Sequence, residues 1–239
     1  MKKVIVSIIL LSILLVIIFQ LVKKIDTQST PKTEDETVYT FPVDQPVDGS
    51  PQAPFSDRVK GRYEEFLVSQ STADTWTKFT ESEKQIPLDQ FLLAMNAKVD
   101  DSLMNLLDKN SWEFYSCTDT AKKQGARDVV LVMPFTLQEN YSGNLYNDQR
   151  KFLANWETSF VADISKIVFP TSIYSSIPVQ FGGYATMGTL PIYIRKTSVK
   201  FADDSIETMA YLLVSDYLLV GSSVECLTRV QEQVFSTSG

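Results

Sequence analysis

Carboxylate pairs are the residues of this chain that come nearest to a catalytic arrangement. Three pairs are close in sequence: Asp100 with Asp101, Asp203 with Asp204, and Glu157 with Asp163. Glycosidases need two carboxyl groups that face each other across a cleft, and neighbouring residues on a turn rarely do so. We therefore interpret these residues as solvated turn and helix-capping groups. A hydrolase that uses carboxylates is the alternative.

The chain lacks most other residue types that build catalytic or metal sites. It contains no histidine, which removes imidazole general-base catalysis and histidine metal ligation. The two cysteines, Cys117 and Cys226, are too few for a zinc site of the usual Cys/His type. They can form a disulfide in an oxidising compartment, or Cys226 can be an inert buried thiol, and the sequence leaves both open. We expect no catalytic residue, no metal and no cofactor.

Gly182 and Gly183 are the remaining candidates for a binding site. A glycine pair allows a ligand to approach the backbone closely, which would suit a small-ligand-binding domain. Glycine pairs within strands more often mark β-bulges, so a bulge is the preferred interpretation. No phosphate-binding glycine loop and no G-x-S-x-G motif occurs in the sequence.

The residues from Val4 to Val22 form an almost unbroken apolar run between two lysine pairs. About 19 residues at ~1.5 Å each approach the ~30 Å thickness of the hydrocarbon core. The run is long for a secretory signal and no small-residue cleavage site follows it. We predict a retained single-pass helix in the plasma (inner) membrane, with the N-terminus cytoplasmic and the domain extracytoplasmic. Residues 1–24 would thus form a membrane anchor with a short cytoplasmic tail, in contact with the lipid bilayer through Val4 to Val22.

Residues 25–54 differ from both of their neighbours in composition. They contain half of the 10 prolines and carry a net charge of -5, which predicts an extended spacer. The interleaved Val38, Tyr39, Phe41 and Val43 allow a second interpretation, a strand that docks a partner or packs on the domain. The whole chain has a net charge of -7 and residues 55–239 hold -6 of it. Such an acidic domain argues against nucleic acid as a partner.

Residues 55–239 read as one α+β domain in which helices pack with a mostly antiparallel sheet. Its first half predicts a helix from Phe55 to Ser69, a short helix with Trp76 and Phe79, and helices after Pro87 and Asp100. Two strands follow, 112–118 and 128–137. Because the links between predicted strands are short, parallel crossovers are not expected.

The second half begins with one long predicted helix that Asn147 caps and Pro170 ends. The apolar stripe of this helix runs from Phe152 to Val168. Strand-like segments 179–185 and 191–201 come next. Residues 210–214 and 217–220 predict a β-hairpin. Ser222 and Glu225 then form an S-x-x-E capping box for a final helix.

Three of these features together carry a resemblance to a known family. They are the Trp156-Glu157 and Asp163-Ile164 pairs on one helix, and the 211–223 hairpin that leads into Glu225. They resemble a family of membrane-anchored extracytoplasmic domains from candidate-phylum bacteria, over Ile86 to the end of the chain. The resemblance implies a membrane-attached fold and no particular activity.

The sequence therefore favours a non-enzymatic envelope protein in which an interaction or scaffold domain binds another envelope protein. The alternatives are an envelope hydrolase that uses carboxylates and a small-ligand-binding domain with its site near Gly182 and Gly183. The architecture resembles that of single-span assembly proteins, and such an analogy concerns layout only.

Overall fold

A nine-stranded mixed sheet forms the centre of the described structure. The computed structural model describes residues 38–44, 53–69, 74–117, 128–136, 145–169, 174–175, 181–182, 185–187, 190–192, 194–201, 204, 206–214 and 216–237. All of them belong to one compact unit, Val38–Gly239. The strands are β1 (Tyr39–Pro42), β2 (Thr75–Glu81), β3 (Lys84–Gln85), β4 (Glu113–Cys117), β5 (Asp128–Pro134), β6 (Tyr174–Ser175), β7 (Ala185–Met187), β8 (Leu190–Ile192), β9 (Ile194–Phe201), β10 (Ile206–Val214) and β11 (Tyr217–Gly221).

The sheet order is β1-β2-β4-β5-β11-β10-β9-β6, with β3 also paired to β2, while β7 and β8 form a separate two-stranded sheet. Every pairing except β1 with β2 is antiparallel. The helices of the described residues are α1 (Phe55–Val68), α2 (Leu88–Ala94), α3 (Asp101–Met104), α4 (Leu145–Trp156), α5 (Phe160–Val168) and α6 (Val224–Thr237). The predicted α+β class with a mostly antiparallel sheet is thus confirmed.

The two faces of the sheet are covered very differently. Successive strand residues point to opposite faces, so neighbours such as Phe114 and Tyr115 belong to different cores. Face A, the face of Phe114 and Leu131, packs against α1 to α5. Face B, the face of Tyr115 and Val130, packs against α6.

Face A contains a continuous aromatic cluster. The ring centroids of Tyr63 and Phe114 lie 5.2 Å apart, and those of Phe91 and Trp112 lie 4.6 Å apart. The Tyr63 hydroxyl donates a hydrogen bond of 2.7 Å to the carbonyl oxygen of Ile167, which joins α1 to the end of α5. This bond satisfies one of the last carbonyls of α5, which lack a partner within the helix.

Strand β1 lies within the predicted spacer 25–54, and here the structure agrees with the second interpretation, a strand that packs on the domain, rather than with an extended spacer. It pairs in parallel with β2, α1 forms the crossover, and Val43 is fully buried. Phe41 contacts Phe66 and Phe79, so the buried apolar residues offset the cost of ordering this segment. The rest of the predicted spacer, 25–37 and 45–52, lies outside the described residues.

The predicted short helix with Trp76 and Phe79 is wrong, because this segment is strand β2. The two aromatic residues are three positions apart, which looks like helical spacing, yet in a strand that spacing places them on opposite faces. Trp76 packs in the core of face B and Phe79 in the core of face A. The β-branched and aromatic composition of Thr75–Glu81 favours a strand.

The long predicted helix that ends near Val168 is also wrong, because it divides into α4 and α5 at residues 157–159. The Thr158 hydroxyl donates to the carbonyl of Asn155, and the Ser159 hydroxyl donates to the carboxylate of Asp163. Hydroxyl groups of this kind compete with the helical hydrogen bonds. The apolar stripe continues through the break, which is why periodicity did not reveal it.

Most other predicted elements are confirmed. They are the helix from Phe55, the helix after Pro87, the cap at Asp100, the strands near 113–117 and 128–134, and the hairpin of β10 and β11. The predicted capping box of Ser222 and Glu225 is wrong, because α6 begins at Val224 and Ser223 caps it, with Cys226 rather than a glutamate three residues later. Ser223 accepts a hydrogen bond from the backbone of Cys226, whereas Ser222 donates to Asp128 on β5.

The predicted membrane anchor, Val4 to Val22, lies outside the described residues and stays a prediction. Among the helices of the residues that are described, none is long and apolar enough to cross a membrane.

Candidate functional site

Glu157, which the sequence offered as one member of a carboxylate pair, lies at the break between α4 and α5 and points toward face A. Arg195 donates to it twice, from Nε to Oε1 and from Nη2 to Oε2, both at 2.7 Å. The Tyr211 hydroxyl donates to Oε1 at 2.6 Å. A two-point arginine–carboxylate contact fixes both groups in one plane.

The sheet register explains why Arg195 and Tyr211 meet at this carboxylate. They are opposed on β9 and β10, and both point to face A beneath the helix break. The side chains of Arg195 and Glu157 are only 20% and 16% exposed, so water screens this ion pair less than a surface pair. The arrangement holds the helix break to the sheet.

Asp163, the expected partner of Glu157, has a separate set of donors. Its Oδ2 accepts from the indole nitrogen of Trp156 at 2.9 Å and from the Ser159 hydroxyl at 2.6 Å. Both carboxylates are therefore occupied by structural hydrogen bonds. Each carboxylate is held by its own set of donors, whereas a glycosidase needs two carboxyl groups that are open to the substrate.

Gly182 lies close to this cluster, because it forms an isolated bridge with Lys196 on β9. The ring centroid of the preceding residue, Phe181, lies 5.8 Å from Cζ of Arg195 and 5.8 Å from the ring centroid of Tyr211. A Cβ added to Gly182 would meet no heavy atom within 4 Å, so there is open space beside the backbone. Gly183 lies outside the described residues. We define the Glu157 cluster as Glu157, Arg195, Tyr211, Phe181 and Gly182.

The remaining carboxylate pairs serve local structure. Asp100 accepts from the backbone nitrogens of Ser102 and Leu103 at the start of α3. Asp204 forms an ion pair of 2.5 Å with Lys200, and Asp203 lies outside the described residues. Asp100 and Asp204 thus agree with our interpretation of turn and capping groups.

A second polar cluster lies on face B, between the start of β2 and α6. The Tyr115 hydroxyl donates to Asp74 at 3.0 Å and accepts from Gln233 at 2.8 Å. Arg229 forms an ion pair of 3.4 Å with Asp74. Burial, together with the neighbouring Asp74 carboxylate, raises the pKa of Tyr115 well above its ordinary value. The hydroxyl is therefore a neutral donor that ties α6 to the sheet.

Cys117 and Cys226 form a disulfide beside this second cluster, with Cα atoms 5.9 Å apart. Cys117 ends β4 and Cys226 lies in the first turn of α6. The bridge therefore joins face B covalently to the helix that covers it. The structure thus selects one of the two possibilities that the sequence left open.

Arg195 and Tyr211 were not predicted as site residues, although a signal was present. The alternation of β9 places Arg195 on the same face as the buried Val199 and Phe201. An arginine on an inward-facing position needs a carboxylate, and the sequence offers Glu157 on a nearby helix. In the described part of the chain, no group of three or more Asp, Glu or Cys residues could hold a metal ion.

Comparisons with known proteins add no relative. No protein family, no curated protein and no solved structure matches this chain. The resemblance to membrane-anchored domains therefore stays a prediction.

Proposed function

We propose that the domain is a non-enzymatic interaction module of the cell envelope, attached to the membrane through Val4 to Val22 and bound to another envelope protein. One observation carries this proposal. The carboxylates that could have formed an active site, Glu157 and Asp163, already accept two or three structural hydrogen bonds each. A general acid or base needs a free position for its substrate.

The disulfide supports the extracytoplasmic part of the proposal. Disulfides persist in oxidising compartments and are rare in the cytosol. A single-pass anchor with its N-terminus inside would deliver the domain to such a compartment. Protease digestion of intact cells, with a tag after Gly239, tests this part. Digestion from outside is expected, and protection until lysis would contradict it.

The interaction part is tested by crosslinking at exposed apolar positions in the full-length chain. Tyr39 on the edge strand β1 is 62% exposed, and a photoreactive residue there samples one edge of the sheet. Ile206 on β10 provides a comparison at another exposed position. We expect one dominant crosslinked partner from one of the two positions. Repeated recovery of the uncrosslinked monomer from both would contradict the proposal.

A small-ligand-binding function is the second candidate, and the backbone at Gly182 favours it. A Cβ on Gly182 would meet no heavy atom within 4 Å, on the side of its bridge partner Lys196 and opposite to Phe181, so a small ligand could approach the backbone there. Gly182→Val would fill that space without touching the Glu157 ion pair. If the domain binds such a ligand, metabolite extracts should stabilise the natural chain against heat and leave Gly182→Val unchanged. Equal responses would eliminate this candidate.

A further inference from the structure

Helix α6 covers a disulfide whose two cysteines are almost completely buried in the folded domain. Cys117 is 3% exposed and Cys226 is fully buried. Thiol–disulfide exchange proceeds by attack of a thiolate on a sulfur atom, so the attacking group must have access to it. The bridge can be made or broken only when some part of the domain opens.

The sheet is the harder part to open. Cys117 is the last residue of β4, which pairs with β2 as far as Ser116 and with β5 as far as Cys117, opposite Asp128. Moving this residue would break pairing between β4 and β5, two inner strands of the sheet. Cys226 lies on α6, whose backbone bonds are internal to the helix and whose contacts with the sheet are made by side chains. Local opening follows the route that breaks the fewest contacts.

A limited set of side chains holds α6 to the sheet beyond the disulfide. Leu227, Val230 and Val234 pack on face B. The ion pair of Arg229 with Asp74 and the hydrogen bond from the Trp76 indole to Gln233 are partly exposed to water. The disulfide holds the first turn of α6 in place, so these contacts are lost together if the helix turns away from the sheet beyond Cys226.

We propose that the disulfide is exchanged only while α6 is away from face B. The two thiols are oxidised while the whole helix is lifted, and the disulfide is reduced while residues 227–237, beyond the bridge at Cys226, have turned away from the sheet. In these open forms the chain is a substrate for a thiol–disulfide exchange partner, either a protein or a small molecule that carries a disulfide. In the closed form it is not. This inference goes beyond the proposed function and does not depend on which protein the domain binds.

The exchange chemistry balances in two steps. The Cys117 thiolate attacks one sulfur of the oxidant, whose disulfide breaks to give a mixed disulfide and one released thiolate. The Cys226 thiolate then attacks the Cys117 sulfur, forming the protein disulfide and releasing the second thiolate of the oxidant. Two cysteine thiols are oxidised, one disulfide is reduced to two thiols, and the two cysteine protons pass to the released thiolates. Reduction follows the same route in reverse.

The test measures how fast dithiothreitol reduces the disulfide in the full chain, purified in detergent, with alkylation and mass spectrometry as the readout. The natural chain is compared with itself in concentrated urea and with two leucine variants. Leu227→Ala weakens the contact of α6 with face B. Leu88→Ala removes an equally buried leucine under face A and serves as the matched control. Unfolding in urea gives the global stability of each variant, so that reduction rates are compared at equal stability.

We expect reduction of the folded chain to be at least about 100-fold slower than in urea. At equal global stability, Leu227→Ala should be reduced about tenfold or more faster than Leu88→Ala. Gln233→Ala, a milder change in α6, should accelerate reduction in the same direction. Equal reduction rates in folded and unfolded chains would overturn the inference. Equal acceleration by Leu227→Ala and Leu88→Ala would also overturn it, because the route would then be global unfolding.

Discussion

Faces A and B of the same sheet are stabilised by different means. Face A is covered by α1 to α5 and contains the large aromatic cluster around Tyr63, Phe79 and Phe114. Face B is covered, in the described residues, by α6 alone, and its core is much smaller. Only face B has a covalent link to its helix, the Cys117–Cys226 disulfide. The difference shows how one sheet can combine a core that relies on apolar area with a core that relies on a crosslink.

The physical reason lies in the size of the two cores. Stabilisation by burial scales with the apolar area removed from water, so a single helix provides less than five helices do. A disulfide stabilises mainly by restricting the unfolded chain, and this effect grows with the length of the closed loop. Cys117 and Cys226 are 109 residues apart. The crosslink therefore stabilises the whole domain, and it lies on the face that has the smaller apolar core.

The largest expected effect is on face A. Phe79→Ala removes a fully buried ring that contacts six other aromatic residues. This substitution should lower the free energy of unfolding by about 3–5 kcal/mol, measured by urea denaturation. A decrease of less than ~1 kcal/mol would mean that the aromatic cluster rearranges to fill the cavity, and that the stability of face A does not depend on close packing.

Removal of the crosslink is the corresponding change on face B. The double variant Cys117→Ala with Cys226→Ala should lose about 2–5 kcal/mol, measured by thermal unfolding of the full chain. Because Phe79 packs on the opposite face, combining both changes should give additive losses. Strong non-additivity would show that the two cores act as one and would break the comparison.

The Glu157 cluster tests whether a half-buried ion pair matters to face A. Glu157→Gln removes the charge that Arg195 faces and should cost about 1–3 kcal/mol in urea denaturation. Glu113→Gln is the matched control, because its ion pair with Lys78 is more exposed. That change should cost only about 0–1 kcal/mol. If both variants are destabilised equally, shielding of the Glu157 ion pair by the helix break contributes nothing to stability.

Alkaline unfolding compares one tyrosine from each face. Burial raises the pKa of Tyr63 well above its ordinary value, and burial with the Asp74 carboxylate raises that of Tyr115. The unfolded chain ionises both near pH ~10, whereas the folded chain keeps them neutral. The stability that they confer is therefore complete below pH ~10 and falls as the pH rises beyond it.

Tyr63→Phe and Tyr115→Phe should each make the alkaline loss of stability shallower. At neutral pH each should also cost about 0.5–1.5 kcal/mol, because a buried hydrogen bond is removed. Urea denaturation at neutral and alkaline pH measures both effects. If neither variant changes how steeply the free energy of unfolding falls at alkaline pH, groups other than these two tyrosines control that loss.

The smallest effect is expected at the turn between β2 and β3. Ser82 and Glu83 adopt left-handed backbone angles, φ 49° and 65°, which glycine tolerates better than other residues. Glu83→Gly should raise the free energy of unfolding by about 0.5–1 kcal/mol. Ser102→Gly in α3, where the backbone is helical, is the control and should be destabilising. A loss of stability at position 83 would show that the Glu83 side chain has a role of its own.

Local patterns determined most of the elements of this fold. The 3.6-residue spacing of Val59, Tyr63 and Phe66 predicts α1 and the face it buries, and the structure agrees. The near-continuous apolar run of β5 indicates a central strand, which it is. The cap at Asp100 and the hairpin of β10 and β11 likewise depend on neighbouring residues. These features follow from the sequence because their causes lie within a few residues of one another.

Long-range contacts decided the rest. The sequence could not show that Tyr39–Pro42 pairs with β2, because its partner is more than thirty residues away. Glu157, Arg195 and Tyr211 are far apart in the sequence. Only the β9–β10 register and the break after α4 bring their side chains together. The same applies to Cys117 and Cys226, whose distance depends on how α6 seats on face B. Local propensity reflects interactions between neighbours along the chain, whereas these contacts depend on the packing of the whole sheet.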